Sequence, residues 1–157
     1  MAHTVPSGIE FALSTGNLMV RTRMFELFAA MTLVSSKGYK LVYRGFDEVS
    51  KRHHLPNRFS ILVQSLSTVK EAWFQTSCMM IINGLINTPA DLETRISIRK
   101  QLYSLGFADL LELMAEDTKW LRNGAMLKTQ IDTFRDSAKQ DSEDLAELHA
   151  SLPVDLQ

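Results

Sequence analysis

At 157 residues, with 45% hydrophobic and 22% charged side chains, the chain has the make-up of one globular domain with a core of its own. A net charge of −1 supplies no general attraction to nucleic acid or to an anionic surface, and no apolar run reaches the ~20 residues that span a bilayer. A single cysteine, Cys78, closes no internal disulfide, which fits a cytosolic setting, and the start MAHTVPSG lacks the regions of a secretory signal.

Strand signals are nearly absent, and apolar residues recur three and four apart, so the chain reads as helices. A short helix is predicted over Ser7 to Ser14, after a flexible start at residues 1–6, with Pro6 in its approach and Gly16 past its end. A long helix follows from Asn17 to Val34. Gly38 opens a third, through Tyr39, Leu41, Val42, Phe46 and Val49. His54-Leu55-Pro56-Asn57 ends it, because the residue before a proline avoids the helical region. Asn57 then caps a helix carrying Phe59, Leu62, Val63 and Leu66.

Thr68 is expected to cap the next helix, which runs to Asn87. Thr88-Pro89-Ala90-Asp91 stops it and starts another, Leu92 to Leu105, with Gly106 as its stop. After a short apolar helix, Phe107 to Met114, Asp117 or Thr118 caps a last long helix holding Trp120, Leu121, Leu127, Ile131 and Phe134. Polarity rises past Ser137. Residues 1–137 therefore read as the domain, and 138–157 as an acidic extension, partly helical or disordered, with a Pro153 tail.

Short motifs repeat at a consistent spacing. Leu13-Ser14-Thr15 recurs as Leu66-Ser67-Thr68, an offset of 53. Phe59-Ser60-Ile61-Leu62 is echoed by Phe107-Ala108-Asp109-Leu110 at 48, and Trp73 by Trp120 at 47. Periods of about 40–47 belong to stacked two- or three-helix repeats, so an all-α, armadillo-like solenoid of about three repeats with a longer exit helix is expected.

Cys78-Met79-Met80-Ile81-Ile82-Asn83-Gly84-Leu85-Ile86-Asn87, then Thr88-Pro89-Ala90-Asp91-Leu92-Glu93-Thr94-Arg95, Ile98-Arg99-Lys100-Gln101-Leu102 and Leu105-Gly106, form a more specific pattern. It resembles the formin homology 3 region of diaphanous-related formins, also called the diaphanous inhibitory domain. Val20-Arg21-Thr22-Arg23 with Glu26-Leu27, and Gln130-Ile131-Asp132-Thr133-Phe134, extend the likeness from about Val20 to Leu148. The family usually carries more repeats behind a GTPase-binding segment, so this chain is short or truncated at its N-terminus by that standard.

The resemblance implies a regulatory and targeting module that docks the formin's own C-terminal autoregulatory helix, a Rho-family GTPase, or both. Actin would be engaged only through other domains of the full-length protein. The setting implied is the cytoskeleton or cell cortex.

A solenoid lines its concave side with the long helix of each repeat. On the helix after Thr68, the stripe opposite Cys78, Ile81, Ile82 and Leu85 is Thr76, Met80, Asn83 and Asn87. Subtracting 53 from the first three gives Arg23, Leu27 and Ala30, and adding 47 gives Asn123, Leu127 and Gln130. These residues are the candidate partner-binding groove. Leu27, Met80 and Leu127 would receive apolar side chains, and the amides would orient the guest. Met80 and Leu127 suit a core equally well. Gly84, mid-helix, signals close approach of either the guest or a neighbouring helix. Trp73 and Trp120 are read as core pillars, and Cys78 as a small buried hydrophobe.

Two charged segments stand out. Arg44, Lys51, Arg52, His53, His54 and Arg58 cluster, with Lys51, Arg52 and Arg58 the candidate basic docking patch for a cortical protein or anionic lipid. From Asp132 onward acids dominate. Adjacent His53 and His54 point apart on a helix and have no cysteine partners nearby, so no metal site is expected. No phosphate loop, nucleophile elbow or Cys-His pair occurs, so neither a cofactor nor catalysis is expected. An assembly role remains open, through a dimer contact on the Trp120–Phe134 segment.

Overall fold

The computed structural model describes residues 4–152, and these are helical with no strand among them. The helices are α1 (Thr4–Ser14), α2 (Leu18–Val34), α3 (Ser36–Arg52), α4 (Ser60–Thr68), α5 (Ala72–Asn87), α6 (Leu92–Tyr103), α7 (Phe107–Asp117) and α8 (Gly124–Ala150). Residues 1–3 of the expected flexible start, and the Pro153 tail, lie outside the described residues.

The element order repeats. α3-α4-α5 and α6-α7-α8 are complete three-helix units, and α1-α2 forms an incomplete first one. The third helix of each unit stacks directly on the next, α2 on α5 and α5 on α8, while the other helices pack around them. This is the expected armadillo-like solenoid. Its core is continuous from Ile9 through Phe25, Phe46 and Phe74 to Phe107 and Phe134. Phe25 lies 5.4 Å from Phe74 between ring centres, which joins the first two units, and Phe107 meets Phe134 edge-on at 5.1 Å in the third.

Side chains stitch the helices together, within and between units, through backbone carbonyls. The Tyr39 hydroxyl donates to the Leu85 carbonyl at 2.7 Å, and burial raises its pKa. Asn57 Nδ2 donates to the Gln101 carbonyl at 3.1 Å, and Thr88 Oγ1 to that of Thr32 at 3.2 Å. The Leu-Ser-Thr repeat has a shared purpose. Arg21 donates to the carbonyls of Ala12, Leu13 and Thr15, and Gln75, in the matching place on α5, donates to that of Leu66. In both units the first turn of the long helix is tied to the end of the preceding short one.

Helix ends depart from expectation in four places. Thr4, Val5 and Pro6 are already in α1, with Val5 and Pro6 buried. Proline is tolerated there because first-turn amides have no helical partner. Thr68 ends α4 rather than capping α5, its hydroxyl donating to the Gln64 carbonyl. Glu71 caps α5 instead, accepting from the amides of Trp73 and Phe74 at 3.1 and 2.7 Å, with its charge suited to a helix N-terminus. Asn57 accepts from the Phe59 amide, but α4 begins only at Ser60, so Phe59 and not Asn57 is the residue at its N-terminal boundary.

The fourth departure is at α8. Residues 118–123 form a turn closed by Asn123 at φ +62°, and α8 starts only at Gly124. Trp120 sits in that turn and is the most exposed of the large hydrophobics, not a core pillar. α8 then runs unbroken past residue 137 to Ala150. Its polar half is held by Asp141, which is buried and paired with Arg95 at 3.0 Å and with Arg99.

Candidate functional site

A shallow groove crosses the stacked long helices. Its centre is a cavity of about 380 Å³ lined by Arg23 and Glu26 of α2, Trp73, Thr76, Ser77 and Met80 of α5, and Met126 of α8. A smaller recess of about 250 Å³ adjoins it, sharing Arg23 and Trp73 and reaching Leu18, Met19 and Glu71. Arg23 and Glu26 pair at 2.9 Å on the rim. The floor is apolar, the rim charged, and three helices contribute, as in a groove built for an amphipathic helix.

Arg23, Thr76 and Met80 line the cavity as expected, Met80 half-buried and Thr76 almost fully buried with its hydroxyl on the Ala72 carbonyl. Leu27 and Ala30 are exposed further along α2, on the same stripe as Arg23. Asn87 is exposed at the end of α5, where its Oδ1 accepts from the Ser137 hydroxyl at 2.6 Å. Asn83 is buried, and its Nδ2 donates to the carbonyl and Oε1 of Gln130, both at 3.0 Å. The two amides therefore join α5 to α8, and neither lines the groove's cavities.

Three expected positions are corrected. Leu127 is fully buried in the core with Ile131 and Phe134, and its neighbour Met126 faces the groove. The offset of 47 rested on equating Trp73 with Trp120. Trp73 is in the first turn of α5, whereas Trp120 precedes α8, so the two tryptophans do not hold equivalent places and the offset does not carry the stripe onto the groove at Leu127. Asn123 likewise sits in the turn before α8, not on its face. Gly84 is closed off by a neighbouring helix rather than by space for a guest. A Cβ there would lie 3.1 Å from Thr32 Cβ and overlap Thr32 Oγ1.

Sequence reasoning missed Trp73 as a groove residue. The ring is 42% exposed and lines both cavities. Its place just after the Glu71 cap was the available signal, because a first-turn side chain projects beyond the helix body. Cys78 is fully buried behind the groove, as expected, and burial pushes its thiol far above the usual range.

The basic patch is largely neutralised by its own surroundings. Lys51 pairs with Asp47 and Arg52 with Glu48, at 2.9 and 2.6 Å. Arg58 packs over the Tyr43 ring, bonds its hydroxyl and faces Asp47, and burial lowers its pKa. All three cations already have acidic partners. His53 Nε2 lies 2.9 Å from Glu10, tying α3 to α1.

Residues 39–156, which take in nearly all of both complete units, match the model of the Diaphanous FH3 Domain. The chain belongs to this family. Formin-F of Dictyostelium discoideum is 27% identical over 95% of the chain, and Formin-H of the same organism 34% identical over 83%. Human Protein diaphanous homolog 2 is 28% identical over 83%. The chain spans only 13%, 12% and 11% of these three relatives' lengths. Among solved structures, E. histolytica Formin1, crystallised bound to EhRho1-GTPγS, superposes with a TM-score of 0.82 at 18% identity, over 96% of this chain and 52% of that one. It shares the FH3 fold, including α1 and α2.

Proposed function

We propose that this FH3 domain is the regulatory, non-catalytic module of a formin, and that its groove holds an amphipathic helix. The fitting guest is the C-terminal autoregulatory helix of the same formin, whose docking would restrain actin filament assembly by other domains. The supporting observation is the cavity at Trp73, Met80 and Met126, framed by Arg23 and Glu26. The apolar floor would take the guest's aliphatic side chains, while the rim's paired charges and the amides of Asn87 and Gln130 would fix its register. Membership in the family, and the Rho-bound state of the structural relative, support a Rho-family GTPase as the releasing partner at the cytoskeleton or cell cortex.

Anisotropy titration of the chain with a labelled C-terminal helical segment of its own formin tests the reading. Saturable binding that weakens on Met80→Asp, with an unchanged thermal melt, is expected. Absence of binding at high micromolar concentration by the folded domain refutes it. A homodimer contact would instead show as concentration-dependent mass in light scattering.

A further inference from the structure

We infer that the corner between α2 and α3, together with the outer stripe of α3, forms a docking face for an anionic lipid bilayer. This face lies outside the cavities of the groove and does not depend on what the groove binds.

Lys37, Lys40 and Arg44 are spaced three and four apart, so they share one stripe of α3, opposite the buried Val42, Phe46 and Val49. All three are exposed, and among the described residues none pairs with a carboxylate. The pairing elsewhere makes this distinctive. The two acids of α3, Asp47 and Glu48, are both engaged at its far end by Lys51, Arg58 and Arg52. Five cations against two carboxylates leave this helix strongly positive in a chain of net charge −1.

The second observation is apolar. Residues 33–37 are exposed without interruption, and Leu33 and Val34 are 70% and 81% exposed at the tip of α2. Val34 is three residues from Lys37, hence within about 11 Å of it along the chain. The tip is firmly held. Ser35 Oγ accepts from the Gly38 amide at 3.0 Å, and Gly38 packs so tightly on the Met31 carbonyl that no side chain fits between them.

A pair of exposed aliphatics beside a row of lysines and arginine without carboxylate partners lines neither cavity of the groove. It suits a surface that is soft, apolar below and anionic above, which describes a bilayer carrying acidic lipids. The adjoining α5–α6 corner, tied on by Thr88, bears the exposed Asp91 and Glu93, so the bilayer meets the α3 side.

The test is co-sedimentation of the whole chain with phosphatidylcholine vesicles carrying 30% phosphatidylserine, against pure phosphatidylcholine. Binding to the anionic vesicles alone, weakened at high salt, is expected. The triple variant Lys37→Glu, Lys40→Glu, Arg44→Glu should lose at least about a hundred-fold in partitioning. Leu33→Ser with Val34→Ser should weaken binding at unchanged charge. A control with the same net change, Lys119→Glu, Lys128→Glu, Arg135→Glu, should bind nearly as the native chain does. Circular dichroism melts establish that each variant is folded. The inference is overturned if the native chain ignores anionic vesicles, if the α3 variant binds undiminished, or if the control loses as much. Undiminished binding by the serine pair overturns the apolar contribution.

Discussion

Replacing Gly84 by alanine should loosen the whole stack. In an isolated helix the change would stabilise by about 1 kcal/mol, because glycine is the poorer helix former. Here the new methyl overlaps Thr32 Oγ1 and sits 3.1 Å from Thr32 Cβ on α2. Thr32 is fully buried, and its hydroxyl donates to the Ala29 carbonyl at 2.6 Å. Turning the side chain away would strand that hydroxyl, and keeping it would force α2 and α5 apart. Overpacking of this kind costs about 1–3 kcal/mol and a stranded buried hydroxyl about 1–3 kcal/mol more. With one or the other incurred in the upper part of its range, the net loss is about 1–2 kcal/mol. For a domain of this size that lowers Tm by roughly 2–8 °C. Urea denaturation and calorimetry measure it. Thr32→Ala removes the overlapping atom, so the double variant should regain most of the loss, giving a coupling of about 1 kcal/mol in a double-mutant cycle. A Gly84→Ala variant that melts at or above the native temperature, or one that Thr32→Ala fails to rescue, would refute the close-approach argument.

Asp141→Ala should cost about 3–5 kcal/mol, since it leaves Arg99 buried without its partner, and chemical denaturation would show it. Burial works against the Asp141 charge, but hydrogen bonds from Arg95 and Arg99 more than offset it and hold the carboxyl below the usual range. A depressed carboxylate stabilises above its unfolded pKa of about 3.9, and that contribution is lost as pH falls through the folded value. The native domain should thus weaken in acid below about pH 4, and Asp141→Asn should flatten that slope. Leu127→Asp should abolish cooperative unfolding, whereas Trp73→Ala should leave the melt within about 1 kcal/mol of native and still impair helix binding. Cys78 should resist iodoacetamide in the folded domain and react only once denatured, which mass spectrometry would follow over a urea series.

The architecture was legible because periodicity and punctuation agreed. Asn17, Asp91 and Gly106 mark helix boundaries by local chemistry that no tertiary contact overrides. The candidate site was legible only in part on α2 and α5, where Arg23, Thr76 and Met80 line the cavity: the offset of 53 came from the Leu-Ser-Thr motif, while the helix starts and the tying residues Arg21 and Gln75 are 54 apart. It failed on α8, where the register was borrowed from two tryptophans in unrelated positions. Side-chain pairing between elements was beyond the sequence. Lys51 and Arg52 follow Asp47 and Glu48 at i,i+4, so those two pairs could have been read from spacing, whereas the packing of Arg58 against Tyr43 and Asp47 from beyond the helix could not.

α5 is buried along nearly its whole length because it lies between α2 and α8 in the stack of third helices, whereas α2 and α8 stand at the ends of that stack. Its amides should therefore exchange with deuterium last, and opening should begin at the two outer helices and travel inward. The same position makes α5 indivisible from both flanks. A fragment ending at Asn87 would bare the face that α8 covers, and one beginning at Ala72 would bare the face that α2 covers, so neither half should fold alone. Two units and a remnant thus behave as one cooperative body, and whatever docks on either side can influence the other by steadying that central helix.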